Sequence, residues 1–293
     1  MYFNYIYSLK MIENRKFLWL YLFLIYIFLV FGFLSGEDPI KGAKQDFLSH
    51  RQAGLAFSND FLKTFLNYND IGMRHSPVLY ILRSFFIENE NLFRFLFLNL
   101  SLISVFFFFK SLLLKNINNN LAIFFSSLIL ILPTFRAYSY WPDPHLAGFL
   151  FFMISLYFFL KFEYSNEIIS KKNYAYLNTI FLAISAYFSP NYGLMVIYYL
   201  FTYFYTFKEL KYFIKILLIN ILLALPFFYY LIILDVNFIF GEAEFNIGDN
   251  IYSLNNISNK IILILSLFLF YQLPMVLSLN HKKILYKIIE YKY

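Results

Sequence analysis

The sequence predicts an all-α polytopic membrane protein with about eight transmembrane helices. Apolar residues make up 61% of the 293 residues, and charged residues only 14%, well below the roughly 25% of an average soluble domain. A soluble fold has no core large enough for that much apolar surface, so lipid must solvate most of it. The chain has no cysteine, which excludes disulfides, thiolate metal sites and a cysteine nucleophile.

Apolar segments alternate with polar ones along the whole chain, so we treat 1–293 as a single membrane domain, although 121–135 and 176–189 are short for a hydrocarbon core of about 30 Å. The first apolar segment, 17–34, is too long for a typical signal-peptide core and no small-residue cleavage site follows it. We therefore predict a retained membrane helix there. The predicted spans are 17–34, 91–109, 121–135, 146–162, 176–189, 192–207, 212–234 and 260–279.

Lysine and arginine concentrate in alternate polar segments, beginning with the N-terminal one, while the short segments between them carry only Arg136 and Lys260. The positive-inside rule then predicts that both termini are cytoplasmic. The segments predicted to lie outside are 35–90, 136–145 and 235–259. The basic residues form no continuous stripe, so we expect no nucleic-acid partner.

The predicted outer segment 35–90 has helical patterning of its own. Apolar residues recur near helical spacing through 47–68, with polar and basic residues between them, as in a helix that lies on the membrane face. The stretch 75–86 is apolar but too short to span, and Arg83 interrupts it; Pro77 suits its first turn. We therefore predict a large outer loop that contains two juxtamembrane helices.

Two acids in the outer segments are candidates for chemistry. On a helix, Asp46 and His50 share a face, where the carboxylate could act as a general base or, with the histidine, as a metal ligand. The spacing alone favours the alternative, a solvated acid on an amphipathic helix. The other acid, Asp143, stands between two prolines in "RAYSYWPDPH" (136–145), a stretch that suits either a site or an ordinary interfacial turn.

The order of these pieces resembles the GT-C superfamily of membrane glycosyltransferases, with protein mannosyltransferases and aminoarabinose transferases as the closest pattern. The similar motifs lie within 17–207: "HSPVLYIL" (75–82), Arg94 before the second span, "WPDPHLAGFLFFMISLYFFLKF" (141–162) and "FSPNYGLMVIYYL" (188–200). The last motif departs from the family pattern, because Ser189 and Pro190 stand where an arginine and a glutamine are expected.

The resemblance implies a sugar donor carried on a polyprenyl phosphate and a glycan, lipid or protein acceptor at the outer face of a bacterial inner membrane. Asp46 takes the role of the first-loop acid and general base, with Asp38 as the alternative. Asp143 is expected to orient the acceptor or to share a divalent cation, Mg²⁺ or Mn²⁺, with Asp46. The expected substrate-binding residues are His50, Arg51, Arg74, Arg83, Arg136 and His145, the arginines because they suit phosphate.

Two other functions remain open: a lipid-linked sugar carrier or flippase, and a non-catalytic membrane subunit of an envelope-synthesis complex. The sequence has no Gly-rich phosphate loop, no Gly-x-Ser-x-Gly and no zinc motif, which argues against a nucleotide-driven enzyme. Ionisable residues are scarce within the predicted spans, which argues against an ion-coupled transporter.

Overall fold

A computed structural model of the chain describes residues 20–71, 76–207 and 209–229. Regular structure in these ranges is entirely helical. The predicted span 260–279, the predicted outer loop 235–259 and Arg74 lie outside them. The α-helices are α1 (Leu20–Leu34), α2 (Ala43–Ser49), α3 (Arg51–Asn59), α4 (Phe61–Leu66), α5 (Val78–Ser84), α6 (Glu90–Leu114), α7 (Asn119–Leu128), α8 (Pro133–Tyr140), α9 (Pro144–Tyr164), α10 (Ile168–Phe188), α11 (Met195–Thr206) and α12 (Leu210–Phe228), with 3₁₀ turns at Tyr68–Ile71, Ile129–Ile131 and Pro190–Leu194.

Three of these helices, α6, α9 and α12, are long and apolar enough to cross a membrane. A fourth candidate is the pair formed by Asn119–Ile131 and α8, which is bent by 64°. The described part of the chain thus holds three candidate spans, or four if the bent pair crosses as a unit. This agrees with the predicted class, a helical membrane protein.

The bend explains why the predicted span 121–135 is not a single straight helix. Leu132 has an extended backbone (φ −61°, ψ 127°) and Pro133 is the first residue of α8. The ring of a proline disfavours helical geometry in the residue before it and suits the first turn of a new helix. The helical segment therefore ends before Leu132, and α8 begins at Pro133 in a new direction. This places Arg136 and Tyr140 on a separate helix.

The segment 35–90, which is predicted to lie outside, is also more divided than its pattern predicts. The stretch 47–68 forms parts of three short helices, because His50 separates α2 from α3 and the extended backbone of Asp60 (φ −151°, ψ 92°) separates α3 from α4. The Asp60 carboxylate accepts a hydrogen bond from the Lys63 amide at 3.0 Å and so begins α4 as an N-cap. The stretch 75–86 contains one helix, α5, which packs against α3.

Buried polar side chains tie α9, α10 and α11 together. Asn178 of α10 donates to the carbonyl and hydroxyl oxygens of Ser155 at 2.9 and 2.8 Å, and accepts from the Tyr203 hydroxyl at 2.6 Å. Around them lies an apolar cluster that includes Phe159 and Ile216. Ile216 is the buried residue of α12, so most of that helix presents apolar side chains outward, as a lipid-facing helix does.

Candidate active site

Asp143 lies in the turn between α8 and α9, where the flanking prolines set its backbone. Its Oδ1 accepts a hydrogen bond from the His145 amide at 2.7 Å, which makes it the N-cap of α9. The side chain is only 7% exposed. Burial raises the pKa of Asp143; the charge of His145 and the amides of His145 and Leu146 oppose that shift, and the carboxylate of Asp46 adds to it. Asp143 is therefore not the solvated acid that an ordinary interfacial turn would carry.

Asp46 is brought to the same place by the packing of α2 on the turn. Phe47, its neighbour, lies with its ring centroid 5.8 Å from that of Trp141, and Asp46 itself is exposed. The two carboxylates are close enough for the charge of one to act on the other. The two predicted acids thus lie within electrostatic range of each other, with Asp46 open to solvent and Asp143 buried.

His50 follows α2, and its ring packs edge-on against the Tyr80 ring of α5, with centroids 5.3 Å apart. Burial and, to a smaller extent, the positive charge of Arg83 together lower the pKa of His50 to about 4. His50 is thus a neutral imidazole at neutral pH. Tyr80 is 1% exposed. Burial raises the pKa of its hydroxyl, the charge of Asp143 raises it further, and that of Arg83 opposes the shift.

Arg83, in α5, connects this helix to α2 and to α6. Its guanidinium lies 3.7 Å from the centre of the Phe47 ring, donates to the Phe47 carbonyl at 2.6 Å and pairs with Glu90 at 2.6 Å. Arg51 also pairs with Glu90, at 3.3 Å, but its side chain is 51% exposed against 2% for Arg83. Of these two predicted phosphate ligands, Arg51 is the accessible one and Arg83 supports the helix that carries Asp46.

The predicted phosphate ligand Arg136 has a structural partner as well. It forms an ion pair with Glu37 and lies over the Phe28 ring at 4.3 Å. Glu37 also receives the indole N–H of Trp141 on its carbonyl, at 2.9 Å. The acid at 37 is therefore paired rather than solvated, and it fastens the start of the outer segment to the turn that carries Asp143.

Arg94, near the start of α6, contacts the residues that lead into the Asp143 turn. Its Nε donates to the Tyr140 carbonyl at 2.8 Å, and its guanidinium stacks 3.6 Å from the centre of the Trp141 ring. The end of α1 and the beginnings of α6 and α9 thus meet around Trp141. This contact between chain segments far apart in sequence keeps the Asp143 turn in place.

Asp38, the alternative first-loop acid, accepts a hydrogen bond from the Lys44 amide at 3.1 Å through Oδ2. Within the ranges that the structure describes, its other oxygen is buried with no hydrogen-bond partner, and no three His, Asp or Glu side chains come together as a metal-binding group. A divalent cation shared by Asp46 and Asp143 therefore stays a prediction.

Ser189, at the end of α10, is a site residue that sequence reasoning discounted as a departure from the family pattern. Its hydroxyl lies 2.9 Å from Nδ1 of His145, and Tyr192 donates to the His145 carbonyl at 3.3 Å. This approach depends on Gly148, where a Cβ would lie 2.9 Å from the Tyr192 ring and 3.0 Å from Cβ of Ser189. The sequence signal for this close contact is that residues 148 and 189 are both small.

Tyr80 was missed for a different reason. The chain has 27 tyrosines, and nothing in the pattern of 75–86 sets this one apart. Its importance comes from burial beside Asp143 and His50, which is a property of the tertiary structure.

Comparisons with known protein families, curated proteins and solved structures found no match to this chain.

Proposed function

We propose that the chain is an integral-membrane glycosyltransferase that moves a sugar from a polyprenyl-phosphate donor to an envelope glycan, lipid or protein. The observation that carries the proposal is the meeting of Asp46 and Asp143 where the end of α1 and the beginnings of α6 and α9 come together. An exposed carboxylate beside a buried one, at the end of apolar helices, suits a reaction between a lipid-borne donor and a soluble or surface acceptor.

The proposed topology places this site outside. By the distribution of lysine and arginine, the chain crosses the membrane about eight times in a GT-C-like arrangement, with both termini in the cytoplasm. The site then faces the outer side of a bacterial inner membrane. The three or four candidate spans of the described helices are the part of this arrangement with direct structural support.

In the proposed reaction, Asp46 is the general base. An acceptor hydroxyl attacks C1 of the sugar, and its proton passes to the Asp46 carboxylate. The bond between C1 and the phosphate oxygen breaks, and its electron pair leaves with the polyprenyl phosphate. Asp46 suits this role because it is exposed, whereas the buried Asp143 suits a fixed hydrogen-bonding role that orients a substrate.

Positive charge is needed where the phosphate leaves. Arg51 is the best-placed candidate, since its side chain is half-exposed and it shares Glu90 with Arg83. Arg136 has its guanidinium paired with Glu37 and would need to exchange that partner for phosphate. His145 lies beside Asp143 and is held by Ser189, in a position to contact the acceptor or the sugar.

The polyprenyl chain of the donor needs an apolar place next to the site. A cavity of about 520 Å³ lies between α10, α11 and α12. Its lining includes Pro190 and Asn191, which directly follow the Ser189 that bonds to His145. A smaller cavity of about 210 Å³ between α5, α6 and α9 includes Leu79 and Leu146, the neighbours of Tyr80 and His145. Both cavities favour a lipid-linked ligand at this end of the helices.

The decisive experiment is a transfer assay. Purified protein in lipid vesicles is incubated with a panel of labelled polyprenyl-phosphate hexoses and pentoses and a crude envelope acceptor. We expect the wild type to transfer one of these sugars. Asp46→Asn should lower the rate about 10²- to 10⁴-fold through loss of the base, and Asp143→Asn should lower it at least tenfold while the protein still folds.

A matched control is Asp60→Asn, because Asp60 lies in the same outer segment and caps α4, a role that asparagine also fills. Full activity in both site variants would refute the proposal. Movement of the lipid-linked sugar across the vesicle membrane without cleavage of the sugar bond would indicate a carrier. Transfer that needs a second protein and ignores both acids would indicate a non-catalytic subunit.

A further inference from the structure

The end of α9 and the beginnings of α10 and α12 come together far from the Asp143 turn. α9 starts beside Asp143 and runs for 21 residues, which carries the chain about 30 Å at 1.5 Å per residue. α10 follows after a short turn, and Lys172 in its first turns contacts the ring of Tyr212 in α12. We call these helix ends, residues 161–174 and 207–212, the basic end. It lies about one membrane thickness away from the candidate active site.

Carboxylates neutralise only some of the lysines at or beside the basic end. Glu163 pairs with Lys115 at 3.7 Å, and Glu209 pairs with Lys211 at 2.6 Å. Glu167, the residue before α10, accepts a hydrogen bond from a serine hydroxyl at 3.0 Å. Three further lysines form no ion pair with a carboxylate of the described residues: Lys161, Lys171 and Lys172. The basic end therefore keeps positive charge that this part of the chain does not neutralise.

Aromatic rings hold these three lysines in place. The ammonium group of Lys172 lies 3.4 Å from the centre of the Tyr212 ring, and that of Lys171 lies 5.6 Å from the centre of the Phe162 ring. Lys161 lies 5.8 Å from a tyrosine ring of α10 in the same way. All three residues are half-buried. A ring face attracts a cation without carrying a negative charge, so the ammonium groups are positioned but have no carboxylate counter-charge in the described structure.

Exposed apolar side chains stand beside the lysines. Ile168 is 47% exposed, Ile169 70% and Leu210 57%. At a membrane surface such side chains lie among the lipid chains, while the ammonium groups of lysines reach the headgroups. The basic end therefore suits the headgroup level of a bilayer. In the proposed topology it lies on the cytoplasmic side, where anionic lipids attract basic segments.

This combination favours an anionic lipid over other phosphate-bearing ligands. Ammonium groups donate hydrogen bonds to phosphate oxygens. A zwitterionic headgroup brings its own cation, which competes with the lysines for the phosphate. A soluble phosphate would use the lysines and leave the neighbouring apolar side chains uncovered.

We propose that Lys161, Lys171 and Lys172 bind the phosphate of an anionic phospholipid, whose chains lie against the apolar side chains beside them. The site is separate from the proposed sugar-transfer reaction. Lysines that only orient a chain in the membrane act by their number, whereas this site depends on which lysines remain unpaired.

A lipid titration tests the site. The full chain in neutral detergent micelles is titrated with phosphatidylglycerol or with phosphatidylcholine, and bound lipid is counted by native mass spectrometry. The wild type should bind phosphatidylglycerol at least about tenfold more tightly than phosphatidylcholine, and inorganic phosphate at the same concentration should not displace it. Equal affinity for the two lipids, or displacement by inorganic phosphate, would overturn the inference.

Lys172→Gln and Lys115→Gln are a matched pair, because each removes one positive charge and only Lys115 has a carboxylate partner. Lys172→Gln should raise the dissociation constant for phosphatidylglycerol about fivefold, the value of one lysine near an anionic surface. Lys115→Gln should change it by no more than about twofold. Equal effects would show that net charge alone attracts the lipid, and the proposed site would be wrong.

Replacing all three unpaired lysines with glutamine should raise the same dissociation constant on the order of 10²-fold. Replacing all three with arginine should preserve binding, since arginine keeps the charge and also binds phosphate. The Tm of the glutamine variant in phosphatidylcholine should stay close to that of the wild type, because no ion pair among the described residues is lost. A folded glutamine variant that still prefers phosphatidylglycerol, or an arginine variant that does not, would contradict the proposal. Sugar transfer does not enter these measurements, so their outcome is independent of the glycosyltransferase assay.

Discussion

The chain buries polar side chains in two regions, and the regions differ in whether those side chains bond to one another. Between α9, α10 and α11, Asn178 uses its oxygen and nitrogen on Tyr203 and Ser155. Around the Asp143 turn, buried polar atoms of the described chain remain without a partner. They are Asp38 Oδ1, the Tyr80 hydroxyl, Arg83 Nε and Arg94 Nη2; the fifth such atom, the Tyr199 hydroxyl, lies beside Asn178 and Ser155.

The difference separates a structural polar cluster from a prospective binding site. A network whose members bond to each other stabilises the packing of helices, and any ligand would have to break it. A set of buried groups with bonds left to make is costly to keep in the empty protein and is satisfied by a ligand. Mutations in the two regions should therefore affect different properties.

The largest expected loss of stability is for Asn178→Ala. It leaves the Tyr203 hydroxyl without its acceptor and removes the two bonds that the Asn178 amide donates to Ser155, so we expect the free energy of unfolding to fall by about 2–3 kcal/mol. Reversible unfolding in mixed micelles measures this, and transfer per folded molecule should be unchanged. Asn220→Ala is the control, since Asn220 makes one local bond to the Ile216 carbonyl; equal losses in both variants would contradict the structural role of the network.

A smaller loss is expected for Gly32→Ala, where α1 packs against α8. The added Cβ would lie 2.5 Å from the Tyr140 hydroxyl and 2.6 Å from Oε2 of Glu37. The Tyr140 ring and the Glu37 side chain must shift to admit it, at a cost of about 1–2 kcal/mol, and transfer should fall as well because Glu37 anchors the Asp143 turn. Gly42→Ala, with nothing within 4 Å of its Cβ, is the matched control. A Gly32→Ala protein with normal stability and transfer would show that this contact does not position the site.

The smallest effect concerns pH and His50. Its pKa is lowered from 6.5 to about 4 in the folded protein, so the unfolded state binds a proton first as pH falls. Stability should therefore be full above pH 6.5 and decrease between pH 6.5 and about 4, by about 1 kcal/mol after allowance for partial exposure. Tm measured across this range should show the decrease in the wild type and a flatter profile in His50→Gln. Identical profiles would mean that another group controls the acid response.

Sequence reasoning was most successful for local structure. The helical class follows from apolar periodicity, and the prolines at 133 and 144 mark the first residues of α8 and α9. The same prolines show the limits of sequence reasoning, because the span predicted at 121–135 includes the bend at Leu132. Periodicity reports which residues are apolar, whereas a bend depends on the backbone geometry before a proline.

Site residues were predicted unevenly for a related reason. Asp143 stands out in the sequence because an acid between two prolines in an apolar chain is unusual. Arg83 stands out equally, as a charge in an apolar stretch, yet the structure uses its donors on Phe47 and Glu90. Tyr80 carries no distinguishing signal, since tyrosine is common in this chain, and Ser189 carries only the weak signal of a small residue.

The amino-acid sequence by itself determined that this chain is a helical membrane protein and where its acids stand along the chain, because composition and local backbone preference act within a few residues. Only the tertiary structure decided which polar groups meet. The packing of Phe47 on Trp141 brings Asp46 within electrostatic range of Asp143, and the packing of α5 buries the Tyr80 hydroxyl without a hydrogen bond in the described structure. Contacts between distant segments set hydrogen bonding and desolvation, and these distinguish a charge that holds the fold from one available to a substrate.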